Sequence, residues 1–155
     1  MYASDWGFAV INAAFPGKVN FGADPYTGEV GTTVATVDDS TLGAFLGTSQ
    51  ISIEFDLGSW VPIASLGPGV TTLLSGSYQT YDADGYGLSA LSKVSQPVHR
   101  ATTRAATGST TRSTTSGPIA VSFSYGSGKV VYTSFHQHAQ SQGVTRALME
   151  YLAVY

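Results

Sequence analysis

The feature that most constrains this chain is a pair of apolar segments folded back on each other near its carboxyl end. Pro118 to Tyr125 alternates through Ile119, Val121 and Phe123. Gly126-Ser127-Gly128 then turns the chain into Lys129-Val130-Val131-Tyr132-Thr133-Ser134-Phe135. An alternating segment and an apolar run on either side of a short glycine turn predict a β-hairpin. Its second strand ends in His136-Gln137-His138, which holds two of the chain's three histidines. In open α/β sheets, the carboxyl ends of strands are where ligands and reacting groups are placed.

Upstream, the periodicity switches between helix and strand. Residues 4 to 15 read as a helix with Ser4 or Asp5 as N-cap and Trp6, Ala9, Val10, Ala13 and Ala14 at helical spacing, stopped by Pro16-Gly17. Residues 17 to 31 read as loop, and Val34 to Val37 as a short strand. Asp38-Asp39-Ser40 offers a cap for a short helix through Leu42, Phe45 and Leu46, closed by Gly47. Gln50 to Asp56 alternates, with Ile51, Ile53 and Phe55 on one face and Ser52, Glu54 and Asp56 on the other. Trp60 to Ile63 and Val70 to Tyr78 predict further strands. The last helix spans 142–154, with Val144, Ala147, Leu148, Tyr151 and Leu152 as its apolar stripe and an Arg146–Glu150 pair on its surface. Residues 79 to 117 differ in kind. The run from Ala101 to Gly117 has no large apolar residue and no acid, so the segment reads as an exposed polar insertion loop.

Composition sets limits on function. At 155 residues and 43% hydrophobic, the chain is long and apolar enough for one globular domain. A net charge of −3 leaves no electrostatic footprint for nucleic acid, and no apolar run reaches the length of a membrane span. Only 11% of residues are charged, so Thr, Ser, Gly and Tyr must build the surface, a style common in secreted and cell-surface domains. The first residues lack the basic and apolar regions of a signal peptide. An extracellular or surface location thus implies a signal already removed. With no cysteine, disulfides, thiolate metal sites and a cysteine nucleophile are excluded.

Several segments occur in an order that resembles a known family. These are Tyr2-Ala3-Ser4-Asp5-Trp6, Ala14-Phe15-Pro16-Gly17, Ile53-Glu54-Phe55-Asp56-Leu57 with Trp60, Tyr125 through His136, and Leu148 through Val154. Together they resemble a degenerate bacterial branch of the class I glutamine amidotransferase-like superfamily, with Gly128-Lys129-Val130-Val131-Tyr132-Thr133-Ser134-Phe135-His136 the most specific part. The resemblance implies an α/β, flavodoxin-like sheet flanked by helices, to which this chain adds antiparallel strands and the polar loop. The family's domain begins with elements that precede the Ser-Asp-Trp segment, so the chain looks like the later part of such a domain: a fragment, a chain whose sheet edge a partner covers, or one that folds in a reduced way. An exposed sheet edge would follow, and with it self-association or a protein partner.

In the family the histidine motif continues Phe-His-Pro-Glu, the histidine activates a cysteine and the glutamate orients the histidine. Matched residue by residue, His136 takes the place of the catalytic histidine, the glutamate position falls on His138, and the nucleophile elbow falls on Ser4-Asp5. Glutamine hydrolysis is excluded because there is no cysteine. Two readings stay open. One is a non-catalytic binding or assembly module of a bacterial surface or secreted protein. The other is a small serine-type hydrolase for esters, lactones or amides. In it Ser4 attacks, His136 is the base, Asp5 or His138 orients it, and backbone amides near Trp6 hold the oxyanion.

Other candidates have bland readings beside them. His136, His138 and Asp5 have zinc-compatible chemistry but no ligand-spacing signature, and no cofactor is expected. Asp82 and Asp84 mimic the start of a calcium loop, but position 12 is Lys93 where a glutamate is needed, so the stretch reads as a glycine turn. Glu54 and Asp56 share a strand face and form a possible acid/base pair, yet alternation predicts a solvated face. Arg100, Arg104 and Arg112 read as solubilising residues of the polar loop.

Overall fold

The computed structural model describes residues 1–23, 25–81 and 112–153. In chain order they form β1 (Tyr2–Ser4), α1 (Phe8–Ala14), β2 (Val19–Asn20), β3 (Gly31–Val37), α2 (Ser40–Leu46), β4 (Gln50–Phe55), β5 (Ser65–Leu66), β6 (Val70–Tyr81), β7 (Arg112–Tyr125), β8 (Gly128–Thr133) and α3 (Gln142–Ala153). Short 3-10 turns at Asp5–Gly7 and Gln137–Ala139 precede α1 and α3. Six strands make one mixed sheet in the order β1-β8-β7-β6-β3-β4, and β2 pairs with β5 in a small separate ladder. Only β1 and β8 run parallel; the other neighbours in both sheets are antiparallel.

The terminal hairpin has the predicted form. Tyr125 pairs with Gly128 and Ala120 with Thr133. Gly126 supplies the left-handed φ of 59° that the turn needs. β8 lies between β1 and β7, and both of its faces are covered. Val130 and Tyr132 enter one core layer, with Ile11 of α1 and with Phe21, Val61, Val121 and Phe123. Val131 enters the other, with Leu42 of α2, with Val144, Leu148 and Tyr151 of α3, and with Ile53, Ile119 and Phe135. A strand buried on both faces reads as a continuous apolar run, which is why 130–132 does not alternate.

Local rules hold where they act locally. Asp39 caps α2 by accepting the Leu42 N–H at 2.9 Å, and Gly47 closes the helix at φ 68°. Trp60 stacks on Phe55 with centroids 3.9 Å apart, takes Tyr78 edge-on at 4.9 Å, and donates Nε1–H to the Glu29 carbonyl at 2.7 Å. The backbone of Gly28 lies flat against that indole, so a Cβ there would sit 2.2 Å from the ring.

Four expectations need correction. The opening segment is not one helix: Tyr2–Ser4 joins the sheet, and neither Ser4 nor Asp5 caps a helix through its side chain. Trp60 to Ile63 is buried but forms no strand, since only Trp60 makes a bridge, to Gly28. The loop expected over 17 to 31 contains β2 and the start of β3. The polar segment begins and ends in strand. Ser77 to Tyr81 pairs with Arg112 to Ser116, and alternation buries Tyr78 and Thr80 while Ser77 and Gln79 stay exposed. Arg112 is therefore a strand residue whose Nη2 pairs with Glu29 Oε1 at 2.7 Å.

Candidate functional site

The site forms where β1 and β8 end side by side. Ser4 closes β1 in extended geometry, and Asp5 then turns sharply at φ 40°, a left-handed value unusual for any residue but glycine. Strain of this kind costs on the order of 1–3 kcal/mol and persists only when the surroundings over-determine it. Here they do. The Asp5 side chain is turned inward and is 0% exposed, Oδ1 accepts the Val61 N–H at 2.9 Å, and the Asp5 carbonyl accepts the Tyr132 hydroxyl at 3.0 Å.

Past β8, Ser134 and Phe135 stay buried and His136 emerges over Asp5. Its Nε2 lies 3.2 Å from Asp5 Oδ2, an ion-pair contact outside hydrogen-bond alignment, and its Nδ1 lies 2.9 Å from Asp56 Oδ1. The second Asp56 oxygen lies 3.1 Å from Nε2 of His138. The two imidazoles are 5.5 Å apart and inclined by 28°; β8 ends at Thr133, and it is the 3-10 turn Gln137–Ala139, not strand alternation, that brings His138 beside His136. The result is a chain of acid and imidazole, Asp5–His136–Asp56–His138, running from buried to exposed.

Gln140 fastens this chain to the sheet edge. Its amide donates to the His136 carbonyl at 2.9 Å and the Glu54 carbonyl at 2.8 Å, and its oxygen accepts the Glu54 N–H at 3.0 Å. A side chain thus imitates a strand beside β4. Thr145 adds a bond from α3 to the Gln137 carbonyl at 3.2 Å.

The environment pushes the two carboxyls in opposite directions. Burial raises Asp5 above the usual carboxylate range, and the nearby Asp56 charge adds to this; the Val61 amide and His136 offset only part. Burial also works to raise Asp56, but hydrogen bonds from His136 and from its own backbone amide, with the charges of both histidines, outweigh it and hold the group low. Burial, reinforced by Asp5, lifts the Tyr132 phenol far above its ordinary value, so it stays a hydrogen-bond donor.

No family model, characterised protein or solved structure matches this chain. Its chemistry therefore has to come from the geometry. Of the candidates named from sequence, Asp5, His136 and His138 come together. Ser4 does not join them: it pairs in register with Thr133, while both ring nitrogens of His136 face carboxylates. Asp82, Asp84, Arg100 and Arg104 lie outside the described residues. Among the described residues, no group of three or more His, Asp or Glu side chains is arranged to hold a metal ion.

An imidazole activates a hydroxyl through a nitrogen that is free to take its proton. In His136, Nδ1 is hydrogen-bonded to Asp56, and Nε2, though not aligned for a hydrogen bond, lies 3.2 Å from the Asp5 carboxyl. For Nδ1 and Nε2 both to meet carboxylate oxygens favourably, either the ring carries two protons or Asp5 supplies the one between them. In both states the arrangement joins three chain segments, and Ser4 makes no hydrogen bond to the ring among the described residues. Asp56, at the end of β4, and Gln140 were the residues sequence reasoning missed as partners of His136. Asp56 was visible only as the polar face of a strand. A sign that this face was not simply solvated lay in its position, one residue past the last alternating apolar residue.

Proposed function

We propose that this chain is a non-catalytic, amidotransferase-like binding or assembly module of a bacterial surface or secreted protein, in which the strand-end histidine has become a structural lock. The observation that carries this reading is the double engagement of His136 by Asp5 and Asp56. The flavodoxin-like ancestry fits β1 and β8 as adjacent parallel strands with helical turns following both. The sparse charge and Thr/Ser-rich surface support an extracellular setting. The partner role rests on the open side of β1, a terminal strand of the sheet beside which Trp6 (64% exposed) and Val10 (53%) remain uncovered.

One observation favours a hydrolase instead. Asp5, His136 and Asp56 follow the order nucleophile, base, orienter, and Asp5 has the strained φ of an elbow. A buried carboxylate in that role would need access that 0% exposure denies. A panel of activated esters, lactones and amides, assayed on wild type beside Ser4→Ala, Asp5→Asn and His136→Ala, separates the readings. The module reading expects no turnover above the variants. Turnover lost in Asp5→Asn and His136→Ala would overturn it.

A further inference from the structure

Away from the lock, a cleft of about 280 Å³ opens between the β2–β5 side of the molecule and the β6–β7 ladder. Its apolar walls are Phe21, Pro62, Ile63 and Pro118. No Asp, Glu, Lys, Arg or His is among the described residues lining it. The polar side chains that line it are all hydroxyl-bearing. Thr80 and Thr115 meet at 3.2 Å on one wall, and Tyr78 supplies the phenol.

Tyr78 is the decisive residue. Its ring sits edge-on against the stacked Trp60 and Phe55 and only 5% of the residue is exposed; its hydroxyl makes no hydrogen bond to a described residue, but the oxygen is not fully buried and so can be reached from the surface. Position 117 borders this oxygen: a Cβ there would meet it at 3.6 Å, an ordinary contact, so a larger side chain would grow into the cleft. Burial raises the phenol, so the group is an O–H donor at neutral pH.

We infer that this cleft binds one neutral, hydroxylated six-membered ring, the pyranose of a monosaccharide or of a glycan end. The volume lies just under the range of about 300–1,000 Å³ typical of pockets for drug-sized ligands, which suits a single ring and not an extended chain. The lack of charge disfavours ionic ligands. Carbon–hydrogen faces meet Phe21, Ile63 and the prolines, while ring hydroxyls take up the Tyr78 donor and the threonine hydroxyls. The cleft shares no residue with the lock and stands or falls apart from it.

The test is a titration of the full chain followed by amide NMR. The probes are the methyl glycosides of glucose, galactose, mannose and N-acetylglucosamine, a trisaccharide ending in each sugar, and cyclohexanol as an apolar ring. At least one glycoside should shift the Ile63, Ser116 and Gly117 amides saturably. The expected Kd is on the order of 1 mM, as for a dozen heavy atoms at about 0.3 kcal/mol each. Binding of the matching trisaccharide at the same amides marks a glycan end as the source; its failure marks a free sugar. Tyr78→Phe should weaken binding about five-fold, one neutral hydrogen bond, without unfolding the ring stack. Gly117→Val should abolish binding in a chain whose circular dichroism is unchanged. No saturable shift with any glycoside, preference for cyclohexanol, or unchanged affinity in Tyr78→Phe would overturn the inference. Unfolding of His136→Ala, which tests the lock, does not read this cleft.

Discussion

Replacing His136 with alanine tests the lock directly. In the wild type the Asp5 carboxyl is 0% exposed, and its Oδ2 has the His136 contact at 3.2 Å and no hydrogen bond among the described residues. Removing one partner of a buried pair costs about 3–5 kcal/mol, because the other charge stays buried and uncompensated. The Asp56 side of the imidazole is partly exposed and contributes at the surface scale of about 0–1 kcal/mol. Screening there places the expected loss near the lower end, about 3 kcal/mol. For a chain of this size that is a fall in Tm of about 6–12 °C, or a urea midpoint lowered by about 1–2 M at constant m. Asp5→Asn in the same background keeps the acceptor for the Val61 N–H and removes the charge, so about 2 kcal/mol should return. The pH dependence has a definite sign. Asp5 has a raised folded pKa, so its charged form is a liability present above that pKa and absent below the unfolded value. The deficit of His136→Ala should therefore shrink as pH falls and Asp5 protonates. A loss below about 1 kcal/mol, no recovery in the double variant, or a deficit that grows in acid would refute the lock.

Asp56, held low, contributes stability that is present above the unfolded carboxylate pKa and lost as pH falls through the folded one. Asp56→Asn should thus flatten the acid limb of the stability profile followed by urea unfolding. Gln140→Ala removes three hydrogen bonds of 2.8–3.0 Å and should cost about 1–2 kcal/mol, with faster hydrogen exchange at the Glu54 amide, which it covers. Gly28→Ala would drive a Cβ to 2.2 Å from an indole fixed by its stack on Phe55. It should cost about 3 kcal/mol or more, with loss of the near-ultraviolet tryptophan signal.

What could be read from the sequence followed how local the cause was. The β7–β8 hairpin, the capped α2 and the stripe of α3 were legible because each is dictated by residues a few positions apart. The strand ends 79–81 and 112–116 were not: their polar side chains carry no burial signal, and only pairing across the ladder makes them strands. The opening segment misled for a related reason. Trp6, Ala9, Val10 and Ala13 have helical spacing, but Tyr2–Ser4 is drawn into the sheet by β8, which follows more than a hundred residues later.

The candidate site divides the same way. By itself the sequence determined which groups were available: no thiol, a histidine pair at the end of a buried strand, and an Asp at the turn after Ser4. Only the tertiary structure decided how they meet. It turned Asp5 inward at φ 40°, brought Asp56, the residue after β4, to Nδ1 of His136, and so set a carboxylate against each nitrogen of that imidazole. Periodicity reports which face of its own element a side chain lies on. It carries no information about a carboxylate eighty residues away, and the role of His136 depends on that distance of about 3 Å.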